Sequence, residues 1–413
     1  MPHSASPFTR HAWMDPEAVF LHLFATAAHA FWLDAGVDTE TGWSWMGAGS
    51  PAGEVGPSGV DAARASAPDD DGAGAFRGGW VGWRTYEGDG AWLRVDAFLA
   101  FDHASRRLFV FGDAAAAERL VSVPPADPVP DAPARGVASA RVSPDRYAEL
   151  IHACRERIRE GDAYQLCLTT RFTVPGAVDA LDVFRRLRRA SGSHHAGFLR
   201  QGGTALASVS PERFLTVRDG DVHTHPIKGT RRRAADAETD RALAEELRTD
   251  AKERAENVMI VDLMRNDLSR VCEPATVGVD RLLEVETYPS VHQLVSEVSG
   301  RLLPGTTIGE LLSATFPAGS MTGAPKQSAM DILAGLEGAP RGVYSGAFGW
   351  VGDDGSADLA MVIRSVVVEP DAAWVGAGGG ITWRSVAASE VAEVGLKARS
   401  PLAALGVDVP PGW

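Results

Sequence analysis

Apolar residues recur along this chain at two spacings, and those spacings predict its elements. Behind Asp15-Pro16 they fall at helical intervals to about residue 28. Asp can cap a helix and Pro suits its first position, so a helix is expected to start there. Phe31-Trp32-Leu33 is an unbroken apolar run and reads as a buried strand. Residues 80–86 and 91–101 read as short strands. Residues 47–74, rich in Gly, Pro, Ala and Asp and including Asp69-Asp70-Asp71, read as a surface loop. Residues 113–143 are rich in Ala and Pro, with Pro124-Pro125 followed by Pro128, Pro130 and Pro133. That composition resists helix and strand alike and reads as a linker.

Ser143-Pro144 opens an amphipathic helix that Gly161 stops. Strands are expected over residues 163–173, 205–209 and 213–217, the last two flanking Ser210-Pro211-Glu212. Residues 237–270 contain neither Gly nor Pro and predict one long helix. Strands return at 347–351, 361–369 and 374–377, with Gly378-Gly379-Gly380 as a turn and a last helix over 389–398. No internal repeat is present. Long helices among strands of no regular βαβ period predict an α+β fold rather than a doubly wound sheet. The expected organisation is an N-terminal subdomain over residues 1–125, a linker over 126–142 and a larger catalytic domain over 143–408.

Composition narrows the function classes. The 413 residues are 45% apolar and 23% charged, enough for a sizeable core. Lys plus Arg number 40 against 54 Asp plus Glu, a net charge of −14. A nucleic-acid binder would show a basic footprint, so none is expected as partner; a few local cations can still hold a small anion. Cys154, Cys167 and Cys272 form no CxxC pair, which argues against a disulfide framework and a structural zinc site and suits a reducing cytoplasm. The most apolar early run, residues 18–33, is short for a membrane span and lacks signal-peptide flanks, so no membrane association is expected.

Five stretches could carry chemistry. Glu253 and Glu256, three apart, share a helix face, as do Glu390 and Glu393 with Lys397 four residues on. Each group alone is also what a solvated helix face looks like; together they offer four carboxylates suited to a hard cation such as Mg²⁺. Gly378 to Gly380 permit close backbone approach and could form an anion nest, or be a plain turn. Pro226-Ile227-Lys228-Gly229-Thr230-Arg231 places one Lys between Ile and Gly, either in a solvated basic loop or desolvated as a nucleophile. Phe316 to Lys326 combines small residues, hydroxyls and a helix start, fit for a carboxylate or for an ordinary loop. Arg364 interrupts an apolar strand and needs a partner, either a ligand carboxylate or a structural ion pair. No P-loop, zinc-protease motif or cysteine nucleophile elbow is present.

These stretches, with Asp250-Ala-Lys-Glu-Arg-Ala-Glu-Asn257 and Val261-Asp-Leu-Met-Arg-Asn-Asp267, resemble the chorismate-utilising enzymes, densely from residue 143 onward. Anthranilate, aminodeoxychorismate, isochorismate and salicylate synthases belong to that family. The resemblance implies a two-part sandwich with the active site in a cleft of the larger part, and chorismate as substrate. It implies Mg²⁺ held by Glu256 and Glu393 directly, with Glu253 and Glu390 outer or water-mediated. Tyr344, Arg364, Lys397 and the Gly378, Gly379 and Gly380 amides match positions that hold the enolpyruvyl carboxylate and ring; Ser320, Thr322 and Gly323 match another substrate-contacting stretch, and Thr230 lies in the matching P-I-K-G-T run.

Two positions separate the branches. Water-using relatives carry a Lys base where this chain has Gln165, which cannot deprotonate water, so amination by ammonia is implied. Anthranilate synthases read P-I-A-G-T; this chain has Lys228, as the aminodeoxychorismate branch does. In that branch the Lys adds at ring C2 as the C4 hydroxyl departs, with Glu212 as matched general acid, and ammonia then adds at C4 and expels the Lys. The product implied is 4-amino-4-deoxychorismate, with ammonia supplied by a separate glutamine amidotransferase subunit, since no glutaminase triad is evident. Anthranilate synthase component I and a catalytically inactive chorismate-binding relative are the alternatives. Relatives carry a His beside the cleft in an "HLVS" run; here Val291-His292-Gln293-Leu294-Val295-Ser296 leaves His292 or Gln293 at that place.

Overall fold

A computed structural model describes residues 8–37, 39–53, 56–65, 72–193, 195–288 and 291–413. Asp69-Asp70-Asp71 lies outside the described residues. Two antiparallel sheets, of twelve and ten strands among the described residues, stack as a sandwich with helices on both outer faces. Segments from both halves of the chain build each sheet. His29–Asp34 pairs with His195–Gln201 in the first, and Gly79–Arg84 pairs with Ala347–Gly352 in the second.

The unbroken run Phe31-Trp32-Leu33 follows from this layering. Phe31 and Leu33 face the core between the sheets, against residues such as Phe348 and Trp350. Ala30 and Trp32 face the helical layer outside, so neither side of the strand meets water. Helices Pro16–Phe24, Pro144–Glu160, Ala180–Ala190 and Ala387–Ala404 cover the first sheet; Ala251–Leu268 and Ile308–Thr315 cover the second.

Local signals explain the boundaries, including those that differ from expectation. The first helix starts behind Asp15, whose side chain accepts from Glu17 N–H, but it ends at Phe24 rather than near residue 28. The expected single helix over 237–270 is two, Ala237–Thr249 and Ala251–Leu268. Asp250 divides them: its backbone is extended and its carboxylate accepts from Lys252 and Glu253 N–H, a cap that starts a new helix. The Ala/Pro-rich stretch holds a short helix, Ala114–Arg119, capped by Asp113, before the prolines take over. Gly378 to Gly380 are not a turn but the interior of an eleven-residue strand, Ala372–Thr382. No helix among the described residues is long and apolar enough to cross a membrane.

A buried ion network ties the N-terminal helix and strand to Ala180–Ala190. Arg188 donates to Asp34 at 2.7 and 3.2 Å, and Arg185 donates to Glu17 at 2.8 Å. Asp34 is fully buried and Arg188 nearly so. Removing one partner of such a pair strands the other charge out of water. Arg188→Met should therefore lower unfolding free energy by roughly 3–5 kcal/mol. Urea denaturation reads this directly; a variant within about 1 kcal/mol of wild type would show the network to be dispensable.

Candidate active site

The site is built where the chain changes sheets. Thr204–Ser210 belongs to the first sheet and Arg213–Arg218 to the second, so Ser210-Pro211-Glu212 is the crossover. A second crossover, Val362-Ile363-Arg364, runs beside it between Ala357–Met361 and Ser365–Glu369. Met361 N–H donates to the Glu212 carbonyl at 3.0 Å, and Val209 N–H to the Arg364 carbonyl at 3.3 Å. Two chain reversals of direction thus fix an acid and a cation side by side. Arg364 takes a left-handed φ of 52° to make its turn.

Glu212 is buried, 7% exposed, and accepts a hydrogen bond from Ser320 Oγ at 2.8 Å. Burial pushes its carboxyl above the ordinary value, against the opposing pull of Lys228, the Ser320 hydrogen bond and Lys397. Lys228 lies on the strand Ile227–Arg232 at a register shift, paired with Leu294 through the ladder, while its side-chain amine makes no hydrogen bond or ion pair with any described residue. Its charge favours the ionised forms of Glu212, Glu256 and Glu393. The neighbouring Gly229 has φ +75°, and a Cβ there would meet the Glu253 side chain at 3.0 Å, so the strand can press against the glutamate helix only with Gly.

The four glutamates converge from two helices. Glu256 is 8% exposed and Glu390 4% exposed. Lys252 stands between them, its Nζ 3.8 Å from Glu256 Oε1 and 3.5 Å from Glu390 Oε1. Glu256 Oε1 is buried and accepts no hydrogen bond; burial raises its carboxyl, and that of Glu253, above the usual range. Glu393 differs: burial alone would raise it, but Lys397, 2.7 Å away, Lys252 and Lys228 hold it below. An orphaned buried carboxylate oxygen amid further carboxylates is a donor set that fits a hard divalent cation.

The glycines act by absence of side chain, not as an anion nest. Their strand pairs with Gln165–Pro175, setting Thr169 opposite Gly378, Leu168 opposite Gly379 and Cys167 opposite Gly380. A Cβ on Gly380 would sit 2.4 Å from Gln165 Nε2, and one on Gly379 would face Glu390 Oε2 at 3.4 Å. Gln165 is fully buried, and neither its Oε1 nor its Nε2 has a hydrogen-bond partner among the described residues. A buried amide without hydrogen bonds is costly, and a ligand in the cleft would relieve it. Lys397 Nζ donates to the Gly378 carbonyl at 3.0 Å.

Arg364 has no carboxylate partner among the described residues; it donates to the Lys397 carbonyl at 3.2 Å. Burial lowers its guanidinium, with Tyr344 and Glu393 opposing. A half-buried guanidinium with no carboxylate partner among the described residues favours the ligand-carboxylate reading over the structural ion pair. Tyr344 is buried, its phenol pushed well up, and its ring fills the space a Cβ on Gly376 would take.

Other expected residues are placed differently. Thr322 Oγ1 donates to Ala318 and Gly319 carbonyls, so its hydroxyl is spent on its own loop. Gly323, at φ +153°, packs against the Gln165 carbonyl. Thr230 is exposed on its strand. Ser320 reaches Glu212. His292 is held by Asp240 at 3.0 Å and Thr287 at 2.9 Å, partners on the helix Ala237–Thr249 and the strand Gly278–Thr287. Gln293 is buried on the same strand as His292, opposite Thr230.

Among the described residues the one trio of metal-capable side chains whose ligand atoms lie within 4.8 Å of one another is His223, Asp280 and Glu297; no three of the four glutamates come that close. Glu297 already accepts from Arg281 at 2.9 Å and pairs with His223 at 3.1 Å and His225 at 3.3 Å, an ion network complete in itself. Lys252 was not among the residues expected from sequence; its place four residues before Glu256 on one helix face was the available signal.

Comparison with known proteins matches residues 78–403 to the chorismate binding enzyme family. The chain is 39% identical to aminodeoxychorismate synthase of Streptomyces pristinaespiralis over 95% of its own length and 64% of that protein's. It is 38% identical to anthranilate synthase component 1 of Streptomyces coelicolor, over 80% of this chain and 73% of that one. Among solved structures, anthranilate synthase component I of Streptococcus pneumoniae superposes with a TM-score of 0.73 at 28% identity, covering 97% of this chain and 93% of that one.

Proposed function

Because the chain belongs to the chorismate binding enzyme family, we propose that it aminates chorismate at C4 with ammonia, giving 4-amino-4-deoxychorismate. Overall identity does not choose between the aminating branches, since 39% and 38% are equivalent. The observation that carries the choice is Lys228, whose side-chain amine has no partner among the described residues and whose charge acts on Glu212, Glu256 and Glu393.

In this reading Arg364 and Tyr344 hold the enolpyruvyl carboxylate and ring, and Gln165 offers its unpartnered amide to the ligand. Glu256 and Glu393 would hold Mg²⁺, and Glu253 and Glu390 would support them. When bound, the cation neutralises the ring carboxylate and draws electron density from the ring. The Lys228 amine, after passing a proton to solvent, forms a bond to ring C2 while the C4–O bond breaks, and Glu212 gives its proton to the departing hydroxyl as water. Ammonia then bonds to C4, the C2–N bond breaks and Lys228 is regenerated. Two allylic displacements place nitrogen at C4. Gln165 carries no basic group, which suits ammonia as nucleophile better than water.

The test is product identification from the pure chain with chorismate, Mg²⁺ and ammonium. A 4-amino product is expected; a 2-amino product places the chain with the anthranilate synthases, and no product makes it a binding relative. Glutamine should replace ammonium only when a separate amidotransferase subunit is added. Glutamine-driven turnover by the chain alone would overturn that part.

A further inference from the structure

The position of Lys252 raises a question that the metal reading leaves open. A divalent cation held by these carboxylates must share them with an ammonium already in ion-pair contact. Lys252 reaches Glu390 at 3.5 Å and Glu256 at 3.8 Å, bridging the two helices that carry the four glutamates. Its contact with Glu256 is one of charge, because the buried Oε1 accepts no hydrogen bond.

The other ammonium nearby is differently fixed. Lys397 pairs with Glu393 at 2.7 Å and also donates to the Gly378 carbonyl at 3.0 Å, so it is anchored to the sheet. Among the described residues Lys252 Nζ meets the carboxylates of Glu256 and Glu390 and no other partner, and its side chain is 45% exposed. A long, half-exposed lysine can carry its charge out to water while its stem stays packed.

We propose that Lys252 is an internal counter-cation of the glutamate site, competing with the divalent metal for Glu256 and Glu390 and swinging outward when the metal enters. The proposal rests on the reading of these glutamates as the metal site. It gives the lysine two positions: inward, neutralising carboxylates that would otherwise repel one another across the helices, and outward, releasing them. The apparent metal affinity is then the intrinsic affinity reduced by the fraction of molecules with the lysine outward. An anionic substrate that adds its own carboxylate to the metal tips the competition, so metal loading is weak alone and strong with substrate.

The experiment titrates the full chain with Mg²⁺ alone, without chorismate, by calorimetry. Lys252→Gln should bind Mg²⁺ about tenfold more tightly than wild type, the factor for an ammonium that occupies the site about nine-tenths of the time. Lys252→Ala serves as a second neutral variant with the same expected gain. Lys252→Arg keeps the charge and should bind as wild type does. Adding Glu256→Gln to Lys252→Gln should erase the gain. Unchanged or weaker binding in both neutral variants, with wild-type binding that Glu256→Gln abolishes, overturns the role of Lys252 and leaves the metal site standing. Binding indifferent to Glu256→Gln in every background, or no binding in any variant, overturns the metal site and this proposal together.

Discussion

Replacing Lys228 with Ala should end 4-amination and open slow 2-amination. The substitution removes the amine but leaves Glu212, its Ser320 hydrogen bond, Arg364 and the four glutamates in place. The Lys228 side chain forms no hydrogen bond or ion pair with a described residue and its strand pairing is made by the backbone, so the fold loses little when the amine goes. The ring is still bound and its C4 hydroxyl can still be protonated, but C2 is no longer covered by the amine. Ammonia can then attack C2 directly, giving a product of the 2-amino-2-deoxyisochorismate or anthranilate type. Loss of a positioned covalent nucleophile is expected to cost at least about 10²-fold in the 4-amino rate. If Lys228 only binds an anion, the variant makes the same 4-amino product with a higher KM. Mass spectrometry and NMR of the product separate the two, and 4-amination by the variant at saturating chorismate would defeat the covalent route. It would also remove most of the case against the anthranilate branch.

The chemistry of the site was more legible in the sequence than its architecture. Short-range spacing placed Glu253 with Glu256, and Glu390 with Glu393 and Lys397, because three- and four-residue steps define one helix face wherever the helix sits. That the two helices face each other was not readable from either. It depends on which strands pair, and Thr382 lies opposite Gln165 across more than two hundred residues. The glycines show the same limit. Three in a row look like a turn locally, yet they continue a strand, and Thr169 at Gly378 and Gln165 at Gly380 leave no room there for a side chain. The break at Asp250 is hidden for a different reason: nothing in a run of good helix formers marks it except a capping residue, and Asp is common inside such runs. Arg364 was suspect by sequence, but its lack of a carboxylate partner is a fact of three dimensions.

The crossovers add something that sequence could not give. Glu212 and Arg364 lie in the two segments that pass between sheets, where the ladder hydrogen bonds stop and side chains from both layers meet. An acid there is shielded from water by both sheets. That is the physical reason its carboxyl is pushed up despite two lysines nearby.

Glu212→Gln should lower kcat by about 10²–10⁴-fold, the usual contribution of a general acid, with KM changed only a few-fold. Gln keeps the shape and can still meet the Ser320 hydroxyl, but it has no proton to give to the departing oxygen. The pH profile carries the sign. The protonated carboxyl is the active form, so turnover governed by Glu212 is present below its pKa and lost as pH rises through it. Burial raises that pKa, which moves the alkaline limb above where an ordinary glutamate would put it. Lys228 and Lys397 pull the other way, and so does the Ser320 hydrogen bond, which favours the ionised form. Ser320→Ala should therefore shift the alkaline limb of kcat to higher pH while keeping substantial turnover. In Glu212→Gln that limb should disappear from the residual rate. The measurement is kcat against pH at saturating chorismate, Mg²⁺ and free ammonia for wild type and both variants. A Glu212→Gln enzyme with near-wild-type kcat, or a Ser320→Ala limb displaced to lower pH, would mean that the proton reaches the leaving oxygen from another group.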